Sequence, residues 1–243
     1  MDHELFAYKI EYLLGKGGFG EVYKGKYKKT GEVVAIKVIK NFESDPVSKR
    51  ELENLRGLTG ENIVRLIDFT ILGNTAYLIM ELCDGDVATY VLKIVKRKLT
   101  DSEMKDFIRQ TTSGLTIIHD KKIVHRDIKP LNILFVRKGN KILYKLADFG
   151  LSKMISGTQY MTYCGTGGFM APEVKSQAHA NNLADIWSLG KTFCFIISRN
   201  YNDLEYEDKT EGNLKDLISR MLRINVRERI TADKILSHPY LRN

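Results

Sequence analysis

The sequence predicts an α+β fold in which a small lobe of antiparallel strands precedes a larger, mainly α-helical lobe. Residues 8–40 and 63–82 contain runs of β-branched and aromatic residues separated by Gly and Asn turns, a pattern typical of antiparallel strands. Beyond residue 86 the hydrophobic spacing becomes helical. Because the pattern changes only once, we expect one domain over residues 1–243, with its first lobe over 1–82 and its second over 83–243.

Two helices are predicted with particular clarity. One helical pattern, residues 48–58, interrupts the strand-rich part. The other, residues 101–120, repeats apolar or small side chains on one face at helical spacing, namely Met104, Phe107, Ile108, Thr111, Leu115 and Ile118.

The composition indicates a globular chain that does not insert into a membrane. Of its 243 residues 43% are hydrophobic, which is enough for a sizeable core, and no run approaches the ~20 apolar residues that cross a bilayer. The cysteines Cys83, Cys164 and Cys194 form no C-x-x-C pair, so neither a disulfide framework nor a zinc site is predicted. We therefore expect a reduced, cytoplasmic location.

The net charge of +8 leaves two interpretations open. Such an excess of cations could serve a nucleic-acid or phosphoinositide partner. However, the basic runs "KGKYKK" (24–29) and "KIVKRK" (93–98) are interrupted by apolar residues, as on the solvated faces of a strand and a helix. We favour this second interpretation and expect no nucleic-acid partner.

A glycine-rich motif lies near the amino terminus. The stretch "LGKGGFGEV" places Gly15, Gly17 and Gly20 in G-x-G-x-x-G-x-V spacing, ending at Val22. Glycines also form ordinary hairpin turns, so the motif alone is a weak signal. Because it lies between two strand-like segments, it favours a β-hairpin whose backbone N–H groups cover phosphates over a dinucleotide-binding turn.

Charged residues in apolar surroundings mark the remaining candidates. Lys37 lies within "VVAIKV", where its ammonium needs an anionic partner, and Glu51 on the following helix is a candidate. Alternatively, Glu51 is one of several acids on a helix surface. Asp148 follows the strand-like "KILYKL" and suits a hard cation such as Mg²⁺. The expected place for a ligand is the junction between the two lobes.

The stretch "HRDIKPLNIL" (125–134) alternates polar side chains with apolar ones. Together with the glycine motif, "VAIK" (34–37), Glu51, "DFG" (148–150) and "APE" (171–173), it resembles the eukaryotic protein kinases across nearly the whole chain. The resemblance implies a bilobal kinase fold with a helix C in the small lobe, and ATP and Mg²⁺ as cofactors.

The resemblance also implies a role for each matching residue. Asp127, next to Lys129, would accept or orient the substrate hydroxyl proton, and Asn132 with Asp148 would hold Mg²⁺. Lys37 with Glu51 would position the nucleotide phosphates. Further nucleotide contacts would come from the glycines already named and from Leu14, Val22, Ala35, Met80, Glu81, Cys83, Asp86 and Leu134. In this set Met80 is the gatekeeper, and Glu81 to Cys83 form the hinge that hydrogen-bonds the adenine.

The resemblance points to Ser/Thr specificity, because Lys129 and Thr166 match the pattern of Ser/Thr kinases. It implies protein substrates with Ser or Thr acceptors, regulatory protein partners, a monomer, and Thr162 as the activating phosphorylation site. "YLIMELCDGDVATYV", a long turn "VRKGNKILY" (136–144) and "MTYCGTGGFMAPEV" resemble the autophagy-initiating, Unc-51-like group, although calcium/calmodulin-dependent kinases share much of this. The alternative function is a pseudokinase scaffold.

Three further features modify these expectations. Basophilic kinases commonly place acids where this chain has Leu131 and Gly168, so apolar residues near the acceptor are expected to be tolerated or preferred. The stretch between Trp187 and Arg229 is shorter than is usual for the family, which indicates a reduced docking surface. Glu173 and Arg229 remain available for an ion pair.

Overall fold

The computed structural model describes residues 1–17, 20–40, 42, 56–148, 168–175, 181–205 and 210–242. The helix expected over 48–58 lies almost entirely outside these residues. The described residues divide into two compact units. Unit 1 comprises those within Met1–Gly60 and Val64–Asp84, and unit 2 comprises Glu61–Ile63 and those from Gly85 onward.

Unit 1 contains a five-stranded antiparallel sheet, as the alternating pattern predicts. The strand order is β1-β2-β3-β5-β4. The strands are β1 (Phe6–Gly17), β2 (Gly20–Tyr27), β3 (Val33–Lys40), β4 (Leu66–Leu72) and β5 (Thr75–Glu81). One face of the sheet forms a core cluster of large apolar side chains, among them Phe6, Tyr23, Val34, Ile36 and Ile79. The residues between these positions have their side chains on the opposite face of the sheet, because successive residues of a strand alternate between faces.

Unit 2 also contains a small sheet, made of β6 (Gly85–Asp86), β7 (Ile133–Lys138) and β8 (Lys141–Leu146). The expectation of a long turn over 136–144 was wrong, because β7 and β8 pair through most of it and only residues 139–140 connect them. Gly139 has a φ of 60°, the left-handed conformation that such tight connections require. This hairpin leads the chain from Asn132 to Asp148.

The longest helix of unit 2, α1 (Asp101–Asp120), confirms the prediction over 101–120, and all six residues of its predicted apolar face are buried. Its first turn is closed by a capping box, in which Thr100 accepts from the Glu103 N–H and Glu103 accepts from the Thr100 N–H. Arg97 also makes two 2.7 Å bonds to Glu103. These bonds, led by those from Arg97, lower the pKa of Glu103 to about 2.

The next helix in length is α2 (Asn182–Ser198), whose side chains are mostly buried, and the other helices in the described part of unit 2 are shorter. They are α3 (Gly212–Met221), α4 (Ala232–Leu236) and α5 (Pro239–Arg242), with a helical turn at Val87–Thr89, a π-helix at Tyr90–Val95, a four-residue helix at Pro172–Lys175 and 3₁₀ turns at Pro130–Asn132 and Val226–Glu228. None of the helices in the described ranges has both the length and the apolar character needed to span a bilayer.

Candidate active site

In the segment from His125 to Asn132 polar side chains alternate with apolar ones, and Asp127 and Lys129 flank the buried Ile128. Ile128 is 1% exposed, and Pro130 begins the 3₁₀ turn that leads into β7. Proline suits this position because its fixed φ matches the turn and no N–H is needed there. Asp127 and Lys129 consequently lie side by side, each with about 15% of its side chain exposed.

The carboxylate of Asp127 is fixed by two neighbours. Lys129 Nζ donates to Asp127 Oδ2 at 2.8 Å, and Asn132 Nδ2 donates to the same oxygen at 2.7 Å. Asn132 Nδ2 also donates to the Asp127 backbone carbonyl at 2.8 Å. Within the described ranges no donor reaches Asp127 Oδ1. The arrangement thus orients a carboxylate, balances its charge with an ammonium, and keeps one oxygen for a further donor.

Asp185, a buried aspartate in the first turns of α2, forms hydrogen bonds with the start of this segment. Its carboxylate is 1% exposed and accepts from the backbone N–H groups of His125 and Arg126, each at 2.8 Å. His119 Nε2 is a third partner at 2.9 Å. Arg126 has a φ of 69°, an uncommon conformation for a non-glycine residue, and Asp185 holds it there.

Asp185 is the site residue that the sequence analysis missed. The signal was present in "ADIWSLG", since an acid within an otherwise apolar helix must find donors when it is buried. The sequence could not show which donors these are, because His125 and Arg126 lie about sixty positions earlier in the chain.

His125 connects this segment to the strand that precedes Asp148. It is 0% exposed, and its Nε2 lies 2.9 Å from the carbonyl of Ala147. Burial lowers the pKa of His125, which favours the neutral ring. Ala147 also donates its N–H to the Asn132 carbonyl at 2.9 Å. Two hydrogen bonds to Ala147 therefore tie the start of the Asp148 segment to the 125–132 segment.

Asn132 and Asp148 have the chemistry of Mg²⁺ ligands. Because Asn132 Nδ2 faces Asp127, its oxygen is the end that can bind a cation. Asp148 is half-buried and has a φ of 60°, another uncommon conformation of the kind that occurs at functional sites. Mg²⁺ takes one or two protein oxygens and completes its shell with water and phosphate, so these two residues fit it.

In unit 1, one face of the sheet carries four of the side chains that the resemblance assigns to the nucleotide. Val22 lies opposite Lys37, and Ala35 lies opposite Met80, so the strand register places all four on the same face. Lys37 is 3% exposed and Ala35 is 7% exposed. This is the face opposite the apolar core cluster.

The glycine-rich hairpin joins β1 to β2, as predicted. Gly15 lies opposite Val22, and Gly17 lies opposite Gly20. Gly20 has a φ of 125°, and a Cβ there would lie 2.2 Å from the carbonyl oxygen of Val38, so only glycine fits. The tip, residues 18–19, lies outside the described residues.

The other predicted nucleotide contacts are distributed between the two units. In unit 1, Leu14 is 52% exposed and Cys83 is half-buried. Glu81 ends β5, where its carboxylate accepts from the Arg65 N–H at 2.7 Å.

In unit 2, Leu134 lies opposite Asp86 across β7 and β6. The Asp86 carboxylate is engaged locally, because it accepts from Thr89 N at 2.8 Å and Thr89 Oγ1 at 2.9 Å. Glu51, Thr162 and Thr166 lie outside the described residues, so their assigned roles stay predictions.

The expected ion pair between Glu173 and Arg229 is confirmed. Arg229 Nη1 and Nη2 lie 2.6 and 3.0 Å from the two carboxylate oxygens of Glu173. Burial would raise the pKa of Glu173, but the bonds from Arg229 outweigh it and hold the pKa below its usual value. This pair links the helix at Pro172–Lys175 to the 3₁₀ turn at Val226–Glu228.

Comparison with known proteins agrees with these features. Residues 8–202 match the family described as "Protein kinase domain". Serine/threonine-protein kinase PLK4 of Drosophila grimshawi is 34% identical over 96% of the chain, covering 34% of its own length. Serine/threonine-protein kinase ULK1 of Homo sapiens is 32% identical over 97% of the chain, covering 25% of its own length. Serine/threonine-protein kinase unc-51 of Caenorhabditis elegans is 34% identical over 97% of the chain, covering 31% of its own length.

The last two relatives agree with the resemblance to the Unc-51-like group, and the PLK4 relative matches as well as they do. The chain spans about a quarter to a third of the length of these curated relatives. The family match covers most of the chain, and the ordered motifs, the two-unit fold and the geometry around Asp127 agree with it. The chain therefore belongs to the protein kinase family, among the serine/threonine kinases.

Proposed function

We propose that this chain transfers the γ-phosphoryl group of ATP to Ser and Thr hydroxyls of protein substrates, with Asp127 accepting the hydroxyl proton. The observation that carries the proposal is the carboxylate of Asp127. Its Oδ2 is fixed by Lys129 at 2.8 Å and by Asn132 at 2.7 Å, while its Oδ1 meets no donor within the described ranges. A substrate hydroxyl that donates to Oδ1 is oriented for attack.

In the transfer step, the hydroxyl oxygen forms a bond to the γ-phosphorus while the bond from phosphorus to the ADP oxygen breaks. The hydroxyl proton passes to Asp127. The ammonium of Lys129 stays beside the reacting atoms, where its charge offsets the negative charge on the phosphoryl oxygens. Asn132 keeps the Asp127 side chain in one orientation throughout.

Asn132 and Asp148 would hold Mg²⁺, which when bound neutralises charge on the phosphate oxygens. Asp148 is directed by the hydrogen bonds of Ala147 to Asn132 and His125. Lys37 and Glu51 would position the phosphates under the glycine-rich hairpin.

The preference for Ser and Thr over Tyr rests on Lys129 and Thr166, and on relatives that are named serine/threonine-protein kinases. Activation by phosphorylation of Thr162, control by regulatory proteins, a monomeric state and a cytoplasmic location are proposed on the same resemblance. A phosphate on Thr162 would pair with Arg126, whose side chain is exposed.

The deciding experiment is radiolabelled phosphate transfer from ATP with Mg²⁺ to peptides that differ only in a Ser, Thr or Tyr acceptor. We expect transfer to Ser and Thr. The substitution Asp127→Ala should lower kcat by ~10²–10⁴ and leave binding of a fluorescent ATP analogue unchanged, because Asp127 acts on the hydroxyl.

Asp120→Ala provides the matched control, since Asp120 is an exposed acid at the end of α1. It should retain full activity. A pseudokinase scaffold would bind the analogue but transfer no phosphate, and Asp148→Asn would then change nothing in the transfer assay. Unchanged turnover of Asp127→Ala would contradict the role of Asp127 alone.

A further inference from the structure

Unit 1 carries a pocket beside the residues assigned to ATP, since Lys24 in its lining lies opposite Ala35. It has a volume of about 680 Å³, within the range of ligand-binding pockets. It lies between the amino-terminal segment and strands β1, β2 and β3, and its lining includes Met1, Tyr12, Lys24, Lys26 and Val33. None of the lining residues belongs to the set predicted to contact the nucleotide.

Paired residues of strands β1, β2 and β3 form one wall of this pocket. Ala7 and Val33 both lie opposite Lys26, on either side of β2. Residues 1–3 fold back on β1, since Tyr8 donates its N–H to the Met1 carbonyl at 3.0 Å and Asp2 bridges Ala7. The pocket therefore has hydrogen-bonded backbone on both sides.

Three of the large exposed apolar side chains line the pocket. Val33 is 54% exposed, Tyr12 is 51% and Met1 is 49%. On β1, Ile10 is 77% exposed and Leu13 is 47% exposed, but neither lines the pocket. The other large exposed hydrophobic side chains in the described ranges, apart from Leu14, are Ile94, Leu131 and Ile224, which are far apart in sequence. Clustered exposure of this kind marks binding surfaces, whereas scattered exposure does not.

The rim of the pocket is positively charged. Lys24 and Lys26 line it, and in the described part of the chain neither has a carboxylate within ion-pair distance. Lys9 also lines it, and its pair with Glu11 at 3.4 Å is largely solvent-exposed, so it holds Lys9 weakly. The one acid in the lining, Asp2, is paired with Lys28.

We infer that this pocket binds an acidic peptide segment of a partner protein, anchored by an aromatic or aliphatic side chain. The side chains of Met1, Tyr12 and Val33, called the apolar floor below, contact the anchor. Lys9, Lys24 and Lys26 pair with the flanking carboxylates. A second copy of this chain is disfavoured, because the same lysines would face each other. A nucleic acid is disfavoured, because its phosphates would leave Tyr12, Val33 and Met1 uncovered.

The experiment measures fluorescence anisotropy of the labelled peptide Glu-Asp-Glu-Phe-Leu-Glu-Asp-Glu with the full chain. We expect saturable binding that weakens tenfold or more (~1.4 kcal/mol) when Lys24→Glu and Lys26→Glu are combined. The matched control combines Lys121→Glu and Lys234→Glu, which change the net charge equally at exposed positions of unit 2. It should bind as the natural sequence does. Amide NMR shifts on titration should move at Gly25, Lys26 and Val33.

A second peptide, with Gly-Gly in place of Phe-Leu, tests the apolar floor and should bind at least tenfold more weakly. Equal binding of the two peptides, equal loss in both lysine pairs, or displacement of the peptide by an equal concentration of single-stranded RNA would each overturn the proposal. Because the lysine variants alter no residue assigned to catalysis, their phosphate transfer and melting temperature should match those of the natural sequence. If the lysine variants have a lower melting temperature, the test uses Val33→Thr in their place. This substitution keeps the β-branch and should weaken binding of the Phe-Leu peptide only.

Discussion

Arg229 and Glu173 form a two-point ion pair in which the arginine side chain is fully buried. Two further N–H groups of Arg229 are also used, since Nη1 reaches the Leu183 carbonyl at 2.8 Å and Nε reaches the Arg223 carbonyl at 3.0 Å. The guanidinium also lies 5.2 Å from the ring centroid of Trp187. A buried charge is tolerated here because each of the three guanidinium nitrogens has an acceptor and the Glu173 carboxylate balances the charge.

Arg229→Ala should therefore lower the free energy of unfolding by roughly 3–5 kcal/mol, because it leaves Glu173 and two carbonyls without their partner. The matched control is Arg220→Ala, whose partner Asp216 lies 2.9 Å away with both side chains about half exposed. This control should cost less than about 1 kcal/mol. Urea unfolding of both variants measures the difference, and equal losses would contradict the burial argument.

Asp185 is expected to act as a positioning residue. Asp185→Asn places an amide N–H against N–H donors of His125, Arg126 or His119, so the 125–132 segment should shift. A displacement of this kind lowers kcat on the order of 10²-fold. The KM for ATP should change little, because Asp185 touches no residue assigned to the nucleotide.

The control for this prediction is Asp216→Asn, because Asp216 also accepts from a histidine, His238, at 3.0 Å. Its kcat should match that of the natural sequence. If the two variants show the same loss of kcat and the same loss of thermal stability, the positioning role of Asp185 is wrong.

Stability should fall as the pH falls below about 6.5, because of His125. Burial lowers the pKa of this residue from its usual 6.5. Below pH 6.5 the unfolded chain therefore binds a proton at His125 that the folded chain does not bind. The free energy of unfolding therefore decreases with falling pH, until the pH reaches the lowered pKa. Glu103 and Glu173, whose pKa values are lowered from 4.5, lose their contributions only in more acidic solution.

Urea midpoints measured between about pH 7.5 and 5.5 test this. His125→Gln should be less stable at neutral pH, but its midpoint should depend less on pH in that window. Parallel curves for the two proteins would show that the dependence arises elsewhere.

Substrate preference should reflect Leu131, which is 51% exposed beside Asn132. Basophilic kinases place an acid at this position and at Gly168, where a Cβ would lie 2.8 Å from Leu204 Cδ1. The nearby acid Asp86 already accepts two bonds from Thr89. A substrate Arg near Leu131 would lose water without gaining a carboxylate.

We therefore expect kcat/KM for a peptide with Arg three residues before the Ser to exceed that of a matched Leu peptide by less than tenfold (~1.4 kcal/mol). Leu131→Glu should shift the ratio toward Arg, because it restores a carboxylate. A strong preference for Arg in the natural sequence would show that specificity has another source.

The sequence by itself determined the fold class and the identity of the chemical groups. Strand alternation predicted the sheet of unit 1, and helical spacing placed α1 at its correct bounds with its buried face. Alternation and helical spacing are local properties, which follow from neighbouring residues along the chain. The roles of Asp127, Lys129, Asn132 and Asp148 are implied by the resemblance of the ordered motifs to the protein kinases and stay predictions.

Tertiary structure decided what depends on residues far apart in the chain. The donors to Asp185 and the burial of Arg229 involve separations of about sixty positions, and no periodicity records them. The strand-like "KILYKL" (141–146) was predicted and forms β8, whereas the pairing of β7 with β6, which lies about fifty positions earlier, carries no local signal. The pocket beside Lys24 and Lys26 exists only because three strands and the amino-terminal segment meet there. Hydrogen-bond geometry, burial and surface shape arise from packing, and packing is set by the whole fold.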